Sequence, residues 1–153
     1  MKRIIIYFLI IASVFVVPVK WADIGKLQPI EVVLLDAVQD EIFLYTDTKD
    51  TGRGESIGKA IADMKENSER IVYLDTAQYV LTTERAVDHL LELEPYLATS
   101  VRIGMVKETI DLQWAASYLQ IHRNYPNYTQ WKRGDNIPEL VCEKNFEKSK
   151  NSA

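Results

Sequence analysis

Apolar and polar positions change their period several times along this chain, and each change marks an element. Ile4 to Val17 is an almost unbroken apolar run, interrupted by Ser13, preceded by Lys2 and Arg3 and ended by Pro18-Val-Lys-Trp21. Asp23 to Gln28 is polar and reads as a connector. Ile30 to Asp36, after Pro29, is rich in β-branched residues and predicts a strand; Ile42 to Thr46 predicts a second. The short acidic spacer between them, Val38 to Glu41, makes the pair an antiparallel hairpin. Thr46 to Gly54 is a polar loop with two glycines. From about Glu55 to Asn67 the period lengthens: Ile57, Ala60, Ile61 and Met64 fall on one helical face.

Arg70 to Leu74 predicts a third strand, and Gln78 to Leu81 either continues it past Asp75-Thr76 or forms a fourth. Thr83 stands where an N-cap would open a helix over Glu84 to Glu94, with Val87, Leu90 and Leu91 facing inward and Leu97 beyond Pro95. Val101 to Val106 alternates and predicts a strand. A last helix, capped by Thr109, runs from Ile110 to His122 and buries Leu112, Ala115, Ala116 and Leu119. The order β-β-α-β(β)-α-β-α predicts an α/β fold, a small mixed sheet of about four to five strands with three helices packed on it. The organisation is then a signal peptide or signal anchor at 1–21, a connector at 22–29, the domain at 30–123, and a C-terminal tail at 124–153, aromatic and then charged.

Charge sharpens the reading of the N-terminus. A basic start, an apolar run and a Pro break are the pattern of a secretory signal or short signal anchor. The run is short for a spanning helix, which needs roughly 17–25 residues, but Lys20 and Trp21 can sit at headgroup level and extend it. Val19 and Lys20 make a poor cleavage site before Trp21. Lys2 and Arg3 favour an orientation that places everything after Trp21 outside the cytoplasm, membrane-anchored or, if the signal is cleaved, secreted. Three of the 18 basic residues belong to this segment and none of the 22 acidic ones, so the exported part carries a net charge of −7. That excludes a basic nucleic-acid-binding stripe and opposes adsorption to anionic lipid by charge alone. The single cysteine, Cys142, permits no internal disulfide.

Gly54-Glu-Ser56-Ile-Gly58 fits the G-x-S-x-G pattern of a hydrolase nucleophile elbow, with His89 and His122 downstream. The loop before Gly54 separates it from the preceding strand, and Glu55 sets a carboxylate where an oxyanion needs donors. The alternative is a Gly-rich turn with Ser56 at a helix start. The segment fails as a phosphate loop, because Arg53 stands five residues before Gly58 and Ala60 replaces the Mg²⁺-binding hydroxyl. It fails as a dinucleotide loop, because Ile57 holds the third glycine position. Neither histidine has a partner at metal-ligand spacing. Asp36, Asp40 and Glu41 read as solvated turn acids rather than a Ca²⁺ site. No metal or cofactor is implied. Tyr125, Tyr128, Trp131, Lys132 and Arg133, with Arg123, form an aromatic, locally basic stretch that reads as an interaction surface or as a segment packed back over the sheet.

Asp23-Ile-Gly-Lys-Leu-Gln-Pro-Ile-Glu-Val-Val, Gly54-Glu-Ser56-Ile57-Gly-Lys-Ala60, Arg70-Ile-Val-Tyr-Leu and Tyr79-Val-Leu-Thr-Thr-Glu84 follow one another as in a known family. Over residues 23 to about 107 the chain resembles the N-terminal domain of the Ger(x)C family, the C-subunits of bacterial spore germinant receptors. The resemblance implies a non-enzymatic, membrane-tethered domain acting through protein–protein contacts, with other membrane or germination proteins as partners, and a structural turn at Gly54–Ser56. The chain departs from the family in three ways: no lipoprotein cysteine closes the signal, Asp75-Thr76 stands where a histidine is frequent, and the later domains do not follow. The alternative function is a small exported serine hydrolase using Ser56.

Overall fold

The structure, a computed structural model, describes residues 29–140. The N-terminal segment 1–21, most of the connector, Cys142 and the charged end from Glu143 lie outside the described residues.

Strands β1 (Val32–Val38) and β2 (Glu41–Thr46) form the expected antiparallel hairpin, Leu35 opposite Leu44 and Val38 opposite Glu41. The two-residue loop between them is closed by Gln39 at φ 57°. Asp36 departs from its reading as a solvated turn acid. It lies within β1, 8% exposed, and its Oδ1 accepts from Thr83 Oγ1 at 2.6 Å and from Ala37 N at 2.9 Å. A carboxylate removed from water needs such donors.

The stretch read as a loop, Thr46 to Gly54, contains a further strand, β3 (Thr51–Gly54), antiparallel to β2. Helix α1 (Ile57–Asn67) follows and buries Ile57, Ala60, Ile61 and Met64, the four residues its period selects. The glycines of β3 let it lie directly under α1. A Cβ on Gly52 would stand 2.1 Å from the Ala60 carbonyl oxygen and 2.7 Å from Met64 Cβ. The loop between β2 and β3 is tied to the start of β1, because the Asp47 carboxylate accepts from Glu31 N and Val32 N at 3.2 and 3.3 Å.

Arg70 to Leu74 is not the predicted strand. Val72 and Leu74 are buried as its alternation implies, but the chain winds into a 3₁₀ turn at Leu74–Thr76. Thr76 Oγ1 there accepts from Ile30 N and donates to Tyr73 O. The place beside β1 is taken by β4 (Tyr79–Thr83), parallel to it with Val33 opposite Val80.

The crossover from β4 is also wound differently from the single helix expected over Glu84 to Glu94. It is a 3₁₀ stretch at Glu84–His89, one α-turn, α2 (Leu90–Leu93), and a 3₁₀ turn at Glu94–Tyr96. Three residues per turn shift the buried face relative to an α-helix. The inward residues become Ala86, Leu90 and Leu93, Val87 is half-buried, and Leu91 is 52% exposed. Thr83 makes no side-chain cap; its hydroxyl instead donates to Asp36 Oδ1.

Strand β5 (Arg102–Val106) pairs parallel with β4 and completes a five-stranded mixed sheet in the order β3-β2-β1-β4-β5. Helix α3 (Leu112–Ile121) is capped by Asp111, whose Oδ1 accepts from Gln113 N and Trp114 N, rather than by Thr109. Its buried residues are Leu112, Ala115, Ala116 and Leu119, as its spacing predicts.

Each sheet face carries its own core. Val33, Leu35, Leu44, Val80 and Ile103 pack with α1 and α2, whereas Val32, Leu34, Tyr79, Leu81 and Val106 pack with α3. Burial on both faces explains why β1 reads Val-Val-Leu-Leu instead of alternating. The segment after α3, expected to be a tail, is part of this body as far as Leu140. Ile103 N donates to Pro126 O, Met105 N to Pro138 O and Leu140 N to Met105 O, which covers the free edge of β5.

Candidate functional sites and surfaces

Ser56 precedes α1 with φ −150° and ψ 159°, ordinary extended backbone, and its Oγ accepts from Lys59 N at 3.3 Å. The unpaired N–H groups of a helix's first turn need such an acceptor. The presence of β3 restores a strand–turn–helix order that the sequence did not suggest. The turn still lacks the strain of a nucleophile elbow, and β3 is a short edge strand antiparallel to its neighbour. Glu55 is ion-paired with Lys59 one turn along, and that contact holds its carboxyl below the usual range. His89 Nδ1 pairs with Glu92 Oε1 at 3.1 Å, and the His122 ring stacks on Tyr118 at 4.2 Å. Among the described residues neither histidine hydrogen-bonds Ser56. Replacing Ser56 by Ala should therefore lower stability by about 0.5–2 kcal/mol, the cost of a lost cap, as read by urea unfolding. An unchanged midpoint would contradict the capping role.

The aromatic stretch after α3 is divided by the fold. Tyr128 opens a short helix, α4 (Tyr128–Lys132), which is capped by Asn127 and Gln130 in a reciprocal box. The Tyr128 ring is buried, and its hydroxyl donates to Leu90 O at 3.1 Å. Burial, with the Glu94 charge nearby, raises its phenol pKa far above the ordinary range. Trp131 meets Tyr128 edge to face and packs against the same core. Tyr125 is half-buried, edge-on to Tyr79, and lies over Gly104, where a Cβ would come within 3.1 Å of its ring. Lys132 pairs with Glu94, tying α4 to the crossover beneath it, and Arg133 is exposed. Tyr128, Trp131 and Tyr125 thus serve packing, and Lys132 and Arg133 make the solvent-facing part of the group.

A second aromatic surface lies on α3. Trp114, Tyr118 and His122 stack in sequence, with centroids 5.1 and 4.2 Å apart, and Ile121 beyond them is 78% exposed. Their i, i+4, i+8 spacing was visible in the sequence. The inward stripe Leu112, Ala115, Ala116 and Leu119 is the stronger periodic signal in the same helix and masks it. The helix Leu-Gln-Trp-Ala-Ala-Ser-Tyr-Leu-Gln-Ile contains no charged residue, although it covers an outer face of an acidic domain.

A polar cavity of about 350 Å³ lies beside the first residues of β4 and β5. Asp75, Gln78, Ser100, Arg102 and Arg123 line it. Arg102 Nη1 donates to Arg123 O and Arg123 Nε to Gln120 O, so backbone carbonyls hold both side chains.

Among the described residues no helix is long and apolar enough to cross a membrane, and no group of three or more His, Cys, Asp or Glu side chains is placed to hold a metal ion. Comparisons with protein-family models, with curated proteins and with solved structures find no match for this chain.

Proposed function

We propose that this chain is a membrane-tethered, non-enzymatic extracytoplasmic domain, akin to the N-terminal domain of spore germinant receptor C-subunits, that acts by contacting other membrane or germination proteins. The observation that carries the tether is Lys2-Arg3 ahead of the apolar run Ile4 to Val17. The net charge of −7 beyond Trp21 suits a domain kept soluble beside a membrane. A contact role draws support from the uncharged outer side of α3, where exposed Trp114, stacked on the half-buried Tyr118, offers the kind of rigid aromatic anchor that protein interfaces use. The element order around Gly54–Ser56, a turn feeding α1, agrees with the structural role that the family resemblance assigns to it.

Two measurements test the reading. The chain is expected to stay with membranes through a salt wash and to leave them in detergent. A serine-directed fluorophosphonate is expected to leave Ser56 unlabelled. Release by salt alone contradicts the tether, and stoichiometric labelling of Ser56 replaces this reading with the exported hydrolase.

A further inference from the structure

The cavity between the first residues of β4 and β5 has a charge pattern that the proposed contact role leaves unused. Two guanidiniums line it, those of Arg102 and Arg123, and among the described residues neither has a carboxylate partner within ion-pair distance. Each is braced by one hydrogen bond to a backbone carbonyl, which leaves the other N–H groups of the fork for a ligand. Planar guanidiniums held in this way suit phosphate oxygens. Ser100 and Gln78 add polar groups, and Asp75 adds a carboxylate to the same cavity. Two positive groups and one negative group match a ligand with a phosphate and an ammonium better than a bare anion.

Position adds a second, independent argument. The described chain begins beside this cavity, because Ile30 N donates to Oγ1 of Thr76, a cavity residue. Glu31 meets the end of α3 through Gln120 Nε2 at 2.6 Å. Seven residues, hence eight Cα–Cα steps, separate Trp21, the end of the apolar segment, from Pro29. Even fully extended they span at most about 29 Å. A tether at Trp21 therefore keeps this end of the domain near the bilayer. The same end displays Ile121, the most exposed large apolar side chain of the described residues, two positions before Arg123.

Resting on the tether proposed above, we infer that this cavity binds the headgroup of a zwitterionic phospholipid. Arg102 and Arg123 take the phosphate, Asp75 takes the ammonium, and Ile121 reaches toward the acyl boundary. The overall negative charge of the domain disfavours an anionic membrane surface and leaves a zwitterionic one accessible.

The test uses the 153-residue chain reconstituted in phosphatidylethanolamine–phosphatidylcholine vesicles, with flotation measured alongside amide exchange over 75–79, 98–102 and 119–123. Severalfold slower exchange than in a maltoside detergent is expected. The protection should be lost in the Arg102→Gln, Arg123→Gln double variant, which still floats. Ile121→Asp, a change at an exposed position, should reduce it. Flotation with equal exchange in vesicles and detergent overturns the inference and leaves the tether standing. Failure to float removes the tether and the inference together. Equal protection by inorganic phosphate alone overturns the lipid assignment, and stronger protection in phosphatidylglycerol vesicles overturns the zwitterionic one.

Discussion

Replacing Gly52 by Ala should destabilise the domain by roughly 2–3 kcal/mol, toward the upper part of the range for overpacking. The added methyl has no room, since its carbon would sit 2.1 Å from the Ala60 carbonyl oxygen. The neighbour is helix backbone, so relief requires α1 to lift from β3. That movement would loosen Ala60 and Met64, both fully buried. If Gly52 were only a flexible loop glycine, the same substitution would stabilise by about 0.4–1 kcal/mol through the unfolded chain. The two accounts therefore predict opposite signs. Gly58, inside α1, is the internal control. A Cβ there meets only Tyr96 Oη, at 3.5 Å, so Gly58→Ala should stabilise by about 0.5–1 kcal/mol. Urea unfolding of the two variants beside the parent decides the matter, and a stabilised Gly52→Ala would remove the β3–α1 packing from the account.

Leu90→Ala is expected to cost about 2–5 kcal/mol, the range for emptying a filled core position. Leu90 is fully buried between α2 and the sheet, and its carbonyl accepts the Tyr128 hydroxyl. Leu91→Ala next to it should change stability by no more than about 0.5 kcal/mol, as expected of a surface position, because Leu91 is 52% exposed. The contrast between adjacent leucines tests the 3₁₀-to-α winding of the crossover directly. Equal losses would restore the regular helix that the sequence suggests over Glu84 to Glu94.

The elements legible in the sequence were those whose burial follows one period. The hairpin β1–β2 is readable from β-branched residues and a short spacer, the inward stripes of α1 and α3 from spacing, and Ser56 from its place at a helix start. Three kinds of information were hidden. A four-residue strand with two glycines, β3, has no side-chain alternation to read, because its reason for existing is the close approach of α1. Arg70 to Leu74 has the alternation of a strand, but the place beside β1 belongs to β4. The crossover carries leucines at several spacings, and only its 3₁₀ winding selects Leu93 over Leu91.

Sites were less legible than elements, because they depend on contacts distant in sequence. Asp36 looks like a turn acid until Thr83, 47 residues away, is seen to donate to it. The aromatic stretch Tyr125 to Arg133 reads as one surface, yet Tyr128 turns inward to a carbonyl 38 residues earlier. The Arg102–Arg123 cavity joins a strand start to a helix end, 21 residues apart, and no motif announces it.

The most direct test of the central claim is the side of the membrane on which this domain lies. Protease added to intact spheroplasts that express the chain should digest it beyond Trp21, while a cytoplasmic marker stays whole. A domain that survives this treatment and is cleaved only after the spheroplasts are broken open would contradict the extracytoplasmic, tethered reading.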